Sequence, residues 1–553
     1  MSNNIYPDVK RGDSSGYVDN NNIETNDTNN KNDTKTIVTT NSNTTNVPQM
    51  SHGTIMLIFS ALMLSMGISS FDATIIGVVT PNIVETFNDF ANFNWVMSGY
   101  MGTMASLTPM YGRLSDIYGR KYMMLSAISF FAAGSIVAAL APTMIALIIG
   151  RAIQGVGAAG LGSLVMTIMS DILPPIERGK YMGFLAMMYG IASVLGPIVG
   201  GIIVEHTTWR WVFWINLPIC AIAAIPVALY VPHMRKERKV NIDWLGSLLV
   251  TGGTILLVLA LTWGGTTYAW SDKHVVAPLI VSIIMFIAFA TFESWYDPDH
   301  AILPMKMFLN RNYSVSSIHM ILYGSLLFSL LGYLPNFFQL VWGSSSIASG
   351  AQVLPMMGGL VLMAIVSGQV ISHTGKYRIL TVIGAALCLL ASVLFRNYIQ
   401  VSKNYATLGV LMAILGAGTG MVAPVATILT TTSVPKEFIA VATTGAAFVR
   451  SLGGAVGTTI VATVLNNTYK NRLNVLPAPL NNELFNANHQ IVSTLPTSYQ
   501  NIVYQGYVDG MKGVFAVVIA MSGLMLLFAP VLKHEELKHM DGDNGVHLEE
   551  MMV

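Results

Sequence analysis

The stretch from Tyr313 to Gly375, YSVSSIHMILYGSLLFSLLGYLPNFFQLVWGSSSIASGAQVLPMMGGLVLMAIVSGQVISHTG, contains no Asp, Glu, Lys or Arg in 63 residues. A helix crosses the hydrocarbon of a bilayer in about 20 residues, so this stretch predicts two consecutive crossings. Tyr122 to Gly150 and Trp244 to Ser271 are equally free of charge. Over the whole chain only 10% of residues are charged and 53% are apolar, whereas a soluble protein carries about 25% charged residues. Fifty-seven charges cannot coat several soluble domains, and a net charge of +1 with this apolar content also excludes wholesale disorder. The composition is that of a polytopic membrane protein.

Working outward, the hydropathy pattern predicts an all-α chain of fourteen spans: 54–80, 93–111, 122–140, 144–167, 180–203, 211–231, 244–264, 275–293, 314–341, 350–372, 379–397, 405–432, 438–465 and 512–532. Continuous apolar runs, without in-and-out alternation, select helices over barrel strands. Loops after even-numbered spans hold fourteen Lys and Arg residues and the other loops seven, which puts the even loops and both termini in the cytosol. Residues 1–50 hold 12 Asn and 8 Thr with little apolar content and read as a disordered tail. That tail lacks the pattern of a cleaved signal peptide, so the first span is expected to act as the insertion signal.

An internal duplication underlies the pattern. Gly112 and Gly119 recur at Gly368 and Gly375, 256 residues later, and Gly196 and Gly200 recur at Gly453 and Gly457, 257 residues later. The expected organisation is a cytosolic tail (1–50), a six-helix bundle (51–232), a linker with two inserted helices (233–312), a second six-helix bundle (313–532) and a cytosolic tail (533–553). Within the second bundle, 466–510 reads as a long exoplasmic loop, and Asn466-Asn467-Thr468 forms a glycosylation sequon there if it clears the membrane. Cys220 and Cys388 lie in separate apolar runs and read as small buried hydrophobes.

The loop Gly112-Arg113-Leu114-Ser115-Asp116-Ile117-Tyr118-Gly119-Arg120-Lys121 carries the densest chemistry. Its glycines permit a tight turn and close helix approach, and Asp116 can accept from a helix N-terminus, from Arg113 or from Arg120. Such a cluster can latch one arrangement of two bundles; the alternative is a basic loop that only fixes topology. The loop resembles the signature between the second and third spans of the major facilitator superfamily. Arg151-Ala-Ile-Gln154-Gly155-Val-Gly157 is similar to that family's fourth-span motif, and Gly190 through Gly196-Pro197-Ile-Val-Gly200-Gly201 to its antiporter-type motif. Asp72-Ala-Thr74-Ile75-Ile76, Trp209-Arg210-Trp211 through Asn216-Leu-Pro218, and Arg450-Ser-Leu-Gly453-Gly454 resemble the fourteen-span drug:H+ antiporters. The resemblance covers about residues 52–532 and implies two six-helix bundles with two added helices, alternating access and exchange of small molecules against protons. One departure is Ser372, where a symmetric second latch would carry Asp.

Charges at membrane depth are costly and usually face a cavity. Asp72 and Arg151 fall in the same leaflet, and in a bundle of this kind their spans can share one cavity. Asp72 is therefore the expected proton and cation site with Arg151 biasing it, against the alternative of a permanent structural ion pair. Arg450 falls near mid-bilayer as a cavity charge or a structural hydrogen-bond donor. Tyr100, Tyr189, Tyr323, Tyr333, Phe337 and Phe338 are candidate cavity aromatics for lipophilic cations. Pro197 with Gly190, Gly196, Gly200 and Gly201 is expected to bend or seal its helix.

Gly155-Val-Gly157-Ala-Ala-Gly160 satisfies G-x-G-x-x-G, but inside a membrane helix it reads as small-residue packing rather than a dinucleotide site. No phosphate-binding G-x-x-x-x-G-K-[ST] occurs, no His cluster has metal-ligand spacing, and His319 reads as a satisfied polar contact in an apolar span. The expected function is thus a non-enzymatic, proton-driven antiporter that exports drugs or other lipophilic or cationic molecules. It would need no cofactor, ATP, metal, nucleic acid or obligatory oligomer, and its partners would be substrate, H+ and lipid. The plasma membrane is the expected address. A vacuolar or lysosomal carrier of basic amino acids is the alternative within transport, and a non-transporting receptor the alternative outside it.

Overall fold

Without water, a backbone must satisfy its own N–H and C=O groups, and the apolar runs do so as helices. A computed structural model describes residues 52–533 except 90–91, 93, 173–174, 233–242, 266, 296–300, 436–437, 478–483 and 486–488. It describes the backbone alone at 52, 94, 170, 175–183, 185–187, 189–190, 193–194, 372–373 and 440. The expected terminal tails therefore lie outside the described residues.

The first helices are α1 (His52–Phe87), α2 (Asn94–Tyr118), α3 (Arg120–Ala139), α4 (Met144–Ile172), α5 (Pro175–His206), α6 (Trp211–Trp214) and α7 (Asn216–Tyr230). Then come α8 (Trp244–Trp263), α9 (Lys273–Trp295), α10 (Arg311–Leu340), α11 (Ser346–Gln352) and α12 (Leu354–Thr374). The last are α13 (Tyr377–Tyr398), α14 (Tyr405–Thr432), α15 (Ile439–Leu473), α16 (His489–Ser493) and α17 (Thr497–Phe528). No strand occurs among the described residues, only an isolated bridge between Gly264 and Tyr268. Among those residues, twelve helical segments are long and apolar enough to cross a membrane. The other two expected spans fall on α2 and α5, each a helix of ample length.

The duplication is visible in the packing. In the first half α1 packs on α5 and α7, α4 on α2 and α3, and α3 on α7; in the second, α10 packs on α15 and α17, α14 on α12 and α13, and α13 on α17. The two halves meet reciprocally, α2 on α15 and α5 on α11 and α12, with α1 against α10 between them. Two of the repeated glycines share a positive φ: Gly119 joins α2 to α3 with φ 91°, and Gly375 joins α12 to α13 with φ 64°. Both sit in the left-handed region, where a side chain would strain the turn. Inserted helices α8 and α9 pack on each other, and α8 also touches α2 and α15. α9 exposes Ile280, Ile283, Ile284 and Ile287, a face suited to lipid, whereas α10 is buried nearly all round at the centre.

Close approaches explain the small residues. A Cβ on Gly157 would lie 2.4 Å from the Phe131 nitrogen of α3, and one on Gly155 would lie 2.0 Å from Thr103 Oγ1 of α2. The G-x-G-x-x-G sequence is therefore a packing surface between three helices. Cys220 and Cys388 are free and buried.

Several boundaries differ from the sequence expectation. The sixth span is broken at Ile215 into α6 and α7, and the tenth at Val353 into α11 and α12. The expected long loop 466–510 is mostly not a loop, since α15 continues to Leu473, α17 begins at Thr497 and α16 lies between. Hydropathy reports only the apolar part of a helix, while the hydrogen-bonded helix itself runs on through polar residues such as Asn466 to Leu473 and Thr497 to Asp509. Asn466 is consequently buried within α15, at 5% exposure, which removes it as a glycan acceptor in this fold.

Candidate functional site

Asp72, on α1, is fully buried, and so are Arg151 and Gln154 on α4, Ser135 on α3 and Asn216 at the start of α7. Arg151 Nη1 donates to Asp72 Oδ2 in an ion pair. Gln154 Nε2 and Asn216 Nδ2 donate to Asp72 Oδ1 at 3.2 and 3.0 Å. The same two amides reach Ser135 Oγ at 2.7 and 3.2 Å. Arg151 also donates to Gln154 Oε1 at 2.8 Å and to the Val96 carbonyl of α2 at 3.2 Å. Its guanidinium lies 4.1 Å from the centre of the Tyr100 ring, a cation-π contact. Five helices thus contribute to one buried network around the carboxylate, with the Tyr100 and Phe213 rings beside Arg151.

An ion pair this deep persists because each charge is also hydrogen-bonded. Removing either charge would leave the other buried and unpaired. The break at Ile215 lets Asn216 begin a new helix beside the carboxylate.

The Gly112–Lys121 loop forms a second polar centre at the chain-terminal end of the same half. Arg120, the first residue of α3, pairs with Asp116 at 2.6 Å and with Asp171 of α4 at 2.8 Å, and donates to Ser115 Oγ. The expected partner choice for Asp116 thus resolves to include Arg120. Arg113 donates to the Ala301 carbonyl, beyond α9, and the next amides, Ile302 and Leu303, donate to Glu293 Oε1 at 3.0 and 3.4 Å. This ties the Gly112–Lys121 loop to the segment that follows α9. Gly112 faces the other half, where a Cβ would sit 3.3 Å from Thr444 of α15. Lys121 is half-buried on α3.

Helix α5, which carries Gly196 and Pro197, meets both halves. Gly196 and Gly200 lie on α1, where Cβ atoms would come 2.1 Å from Thr74 Oγ1 and 2.5 Å from Ile75 Cγ1. On the other side, Gly201 lies on Ile347 of α11 and Gly350 lies on the Pro197 carbonyl. Glu205, at the end of α5, accepts from the Ile347 amide at 2.9 Å. Partial burial would raise its pKa, but hydrogen bonds from Ser345 and Ile347 with the adjacent His206 outweigh that and hold it below the ordinary carboxylate range.

The other candidates disperse. Arg450 lies on α15 where α10 packs closely, its carbonyl 2.1 Å from a Cβ placed on Gly324. Tyr323, Tyr333, Phe337 and Phe338 are packed into the α10 core. Tyr189 and Gly190 lie on α5, where their side chains fall outside the described residues. His319 sits between the carbonyls of Val315 at 2.8 Å and Met525 at 3.1 Å, as a structural link from α10 to α17. The side chains that sequence reasoning missed as site members are Ser135, Gln154 and Asn216. The latter two lie within quoted motifs, and their signal was an amide at membrane depth.

Residues 62–458 match the model of the Major Facilitator Superfamily. The chain belongs to the Major Facilitator Superfamily. It is 35% identical over 413 residues to Multidrug resistance protein 3 of Bacillus subtilis, covering 75% of this chain and 80% of that protein. It is 30% identical over 494 residues to Efflux pump dotC of Dothistroma septosporum, covering 87% and 85%. A crystal structure of a bacterial homolog to the human lysosomal transporter Spinster superposes with TM-score 0.60 at 15% identity, covering 87% of this chain and 98% of that one. A D-xylose–proton symporter superposes with TM-score 0.56 at 15% identity, covering 87% and 100%. This superfamily member is an integral multi-pass membrane transporter of small molecules, not an enzyme.

Proposed function

We propose that the protein is a proton-coupled antiporter of fourteen spans that exports lipophilic or cationic small molecules from the cytosol by alternating access, with both termini cytosolic. The observation that carries this reading is the buried Asp72–Arg151 pair, surrounded by Gln154, Asn216 and Ser135. Protonated Asp72 releases Arg151 and loosens α1 from α4; deprotonated Asp72 restores the pair or holds a cationic substrate in its place. Two cations compete for one carboxylate, which is the thermodynamic condition for exchange. The Arg120 cluster then latches the chain-terminal gate, and α5 with α11 closes the opposite end. The multidrug and efflux names of the relatives support an export role, and the plasma membrane is its natural address. The proton gradient alone supplies the energy, with no cofactor.

The test is flux in proteoliposomes with an imposed pH gradient, using a panel of lipophilic cations together with arginine and lysine. Gradient-dependent movement of the lipophilic cations, abolished in Asp72→Asn, is expected. Full coupling retained in Asp72→Asn overturns the assignment of Asp72. Movement of arginine and lysine alone points to a basic amino acid carrier, and no flux of any compound favours a receptor.

A further inference from the structure

At the end of the molecule away from the chain termini, the two halves enclose a second feature, unrelated to the Asp72 pair. The ends of α1, α5 and α10, the segment before α11, and α16 with α17 surround a cleft of about 440 Å³. That volume falls within the range of small-molecule sites, about 300–1,000 Å³. It is lined by Glu85 of α1, Glu205 of α5, Asn336 and Gln339 of α10, His489 of α16 and Tyr507 of α17. No Lys or Arg lines it among the described residues.

The two formally charged side chains that line this cleft, Glu85 and Glu205, are both acidic. Asn336 is only 7% exposed, yet its Oδ1 has no hydrogen-bond partner among the described residues. One of its two Nδ2 hydrogens goes to the Gly332 carbonyl at 3.1 Å. Gln339 Nε2 is committed to the Val78 carbonyl at 2.9 Å and Ser349 Oγ at 2.8 Å. A buried amide oxygen without a donor is costly, and two carboxylates nearby add negative potential. The complementary ligand is therefore positively charged and brings N–H donors.

Below the cleft the path is shut. A Cβ on Gly77 would lie 2.2 Å from the Leu331 carbonyl, so α1 and α10 touch between Asp72 and the cleft. We propose that this cleft is an exit-side binding site for organic cations with N–H donors, separated from Asp72 by the α1–α10 seal. It rests on the exporter reading only for the word exit; the binding itself does not require transport. A cation seated beside Glu205 also competes with the Ile347 amide for that carboxylate, so occupancy weakens the α5–α11 closure.

The experiment is equilibrium binding of rhodamine 6G, a cation with N–H donors, to the purified full chain in nanodiscs, followed by fluorescence polarisation. Two binding components are expected, of which Asp72→Asn removes one. In that background Glu85→Gln and Asn336→Leu weaken the remaining component at least fivefold, while Asn336→Asp, which keeps the shape and adds charge, tightens it. Tetraphenylphosphonium, a cation without N–H donors, competes poorly for this component. No remaining component in Asp72→Asn, or a remaining component unmoved by all three variants, overturns the proposal. Because no gradient is applied, these outcomes are independent of whether Asp72 couples flux to protons.

Discussion

Gly196 of α5 lies against Thr74 of α1, so that a Cβ at Gly196 would stand 2.1 Å from Thr74 Oγ1, two residues from Asp72. The antiporter-type motif and the candidate coupling carboxylate are thus faces of one helix contact. Any side chain at 196 pushes α1 at the point where Asp72 must meet Arg151. Gly196→Ala is expected to destabilise the protein by about 1–3 kcal/mol, as overpacking does. It should also lower pH-driven transport more than a substitution at Gly523, where no atom lies within 4 Å of an added Cβ. Thermal unfolding and proteoliposome flux of both variants check this.

Removing one partner of the buried ion pair leaves the other charge stranded, at a cost of about 3–5 kcal/mol. Arg151→Gln and Asp72→Asn are each expected to destabilise, while the double substitution, which leaves no buried charge, recovers part of the loss. A double-mutant cycle by chemical denaturation measures the coupling. A cycle with no coupling energy contradicts the paired arrangement.

Arg120 serves three partners at once, and Lys cannot reproduce that fork. Arg120→Lys is expected to keep the Asp116 contact but lose either Asp171 or Ser115. The gate should then open more often toward the chain-terminal side, raising alkylation of a cysteine placed at Thr444 at least threefold over the same cysteine in the parent. Arg120→Ala should raise it further.

The Glu205 carboxylate, held below its ordinary range, gives the α5–α11 closure a defined pH dependence. A group whose folded pKa is depressed contributes stability above its unfolded pKa and loses it as the pH falls through the folded value. The wild-type advantage in unfolding temperature over Glu205→Gln should therefore be full near neutral pH and vanish in acid below the ordinary carboxylate range. Glu85 and His489 line the same cleft and His206 adjoins Glu205, so the comparison with Glu205→Gln isolates the one group.

The scarcity of charge was enough to determine a helical membrane protein, and the offset glycines enough to determine its two halves. Gly119 and Gly375 show why: a left-handed turn between helices needs glycine, so the residue itself reports the backbone. Asp72 and Arg151 were legible because a charge at membrane depth is costly and rarely accidental. Their contact was not legible, nor were Ser135, Gln154 and Asn216 around them. In water an amphipathic stripe tells which face of a helix is inside, but a helix facing lipid is apolar on every side. Each residue turns the helix by about 100°, so without that stripe its rotation is undetermined. Only tertiary packing, through close glycine contacts such as Gly155 on Thr103 and Gly196 on Thr74, sets those rotations and brings five helices into one buried network around the carboxylate. The cleft away from the chain termini is still further from sequence, since Glu85, Glu205, Asn336 and His489 line one space only because the two halves close on one another.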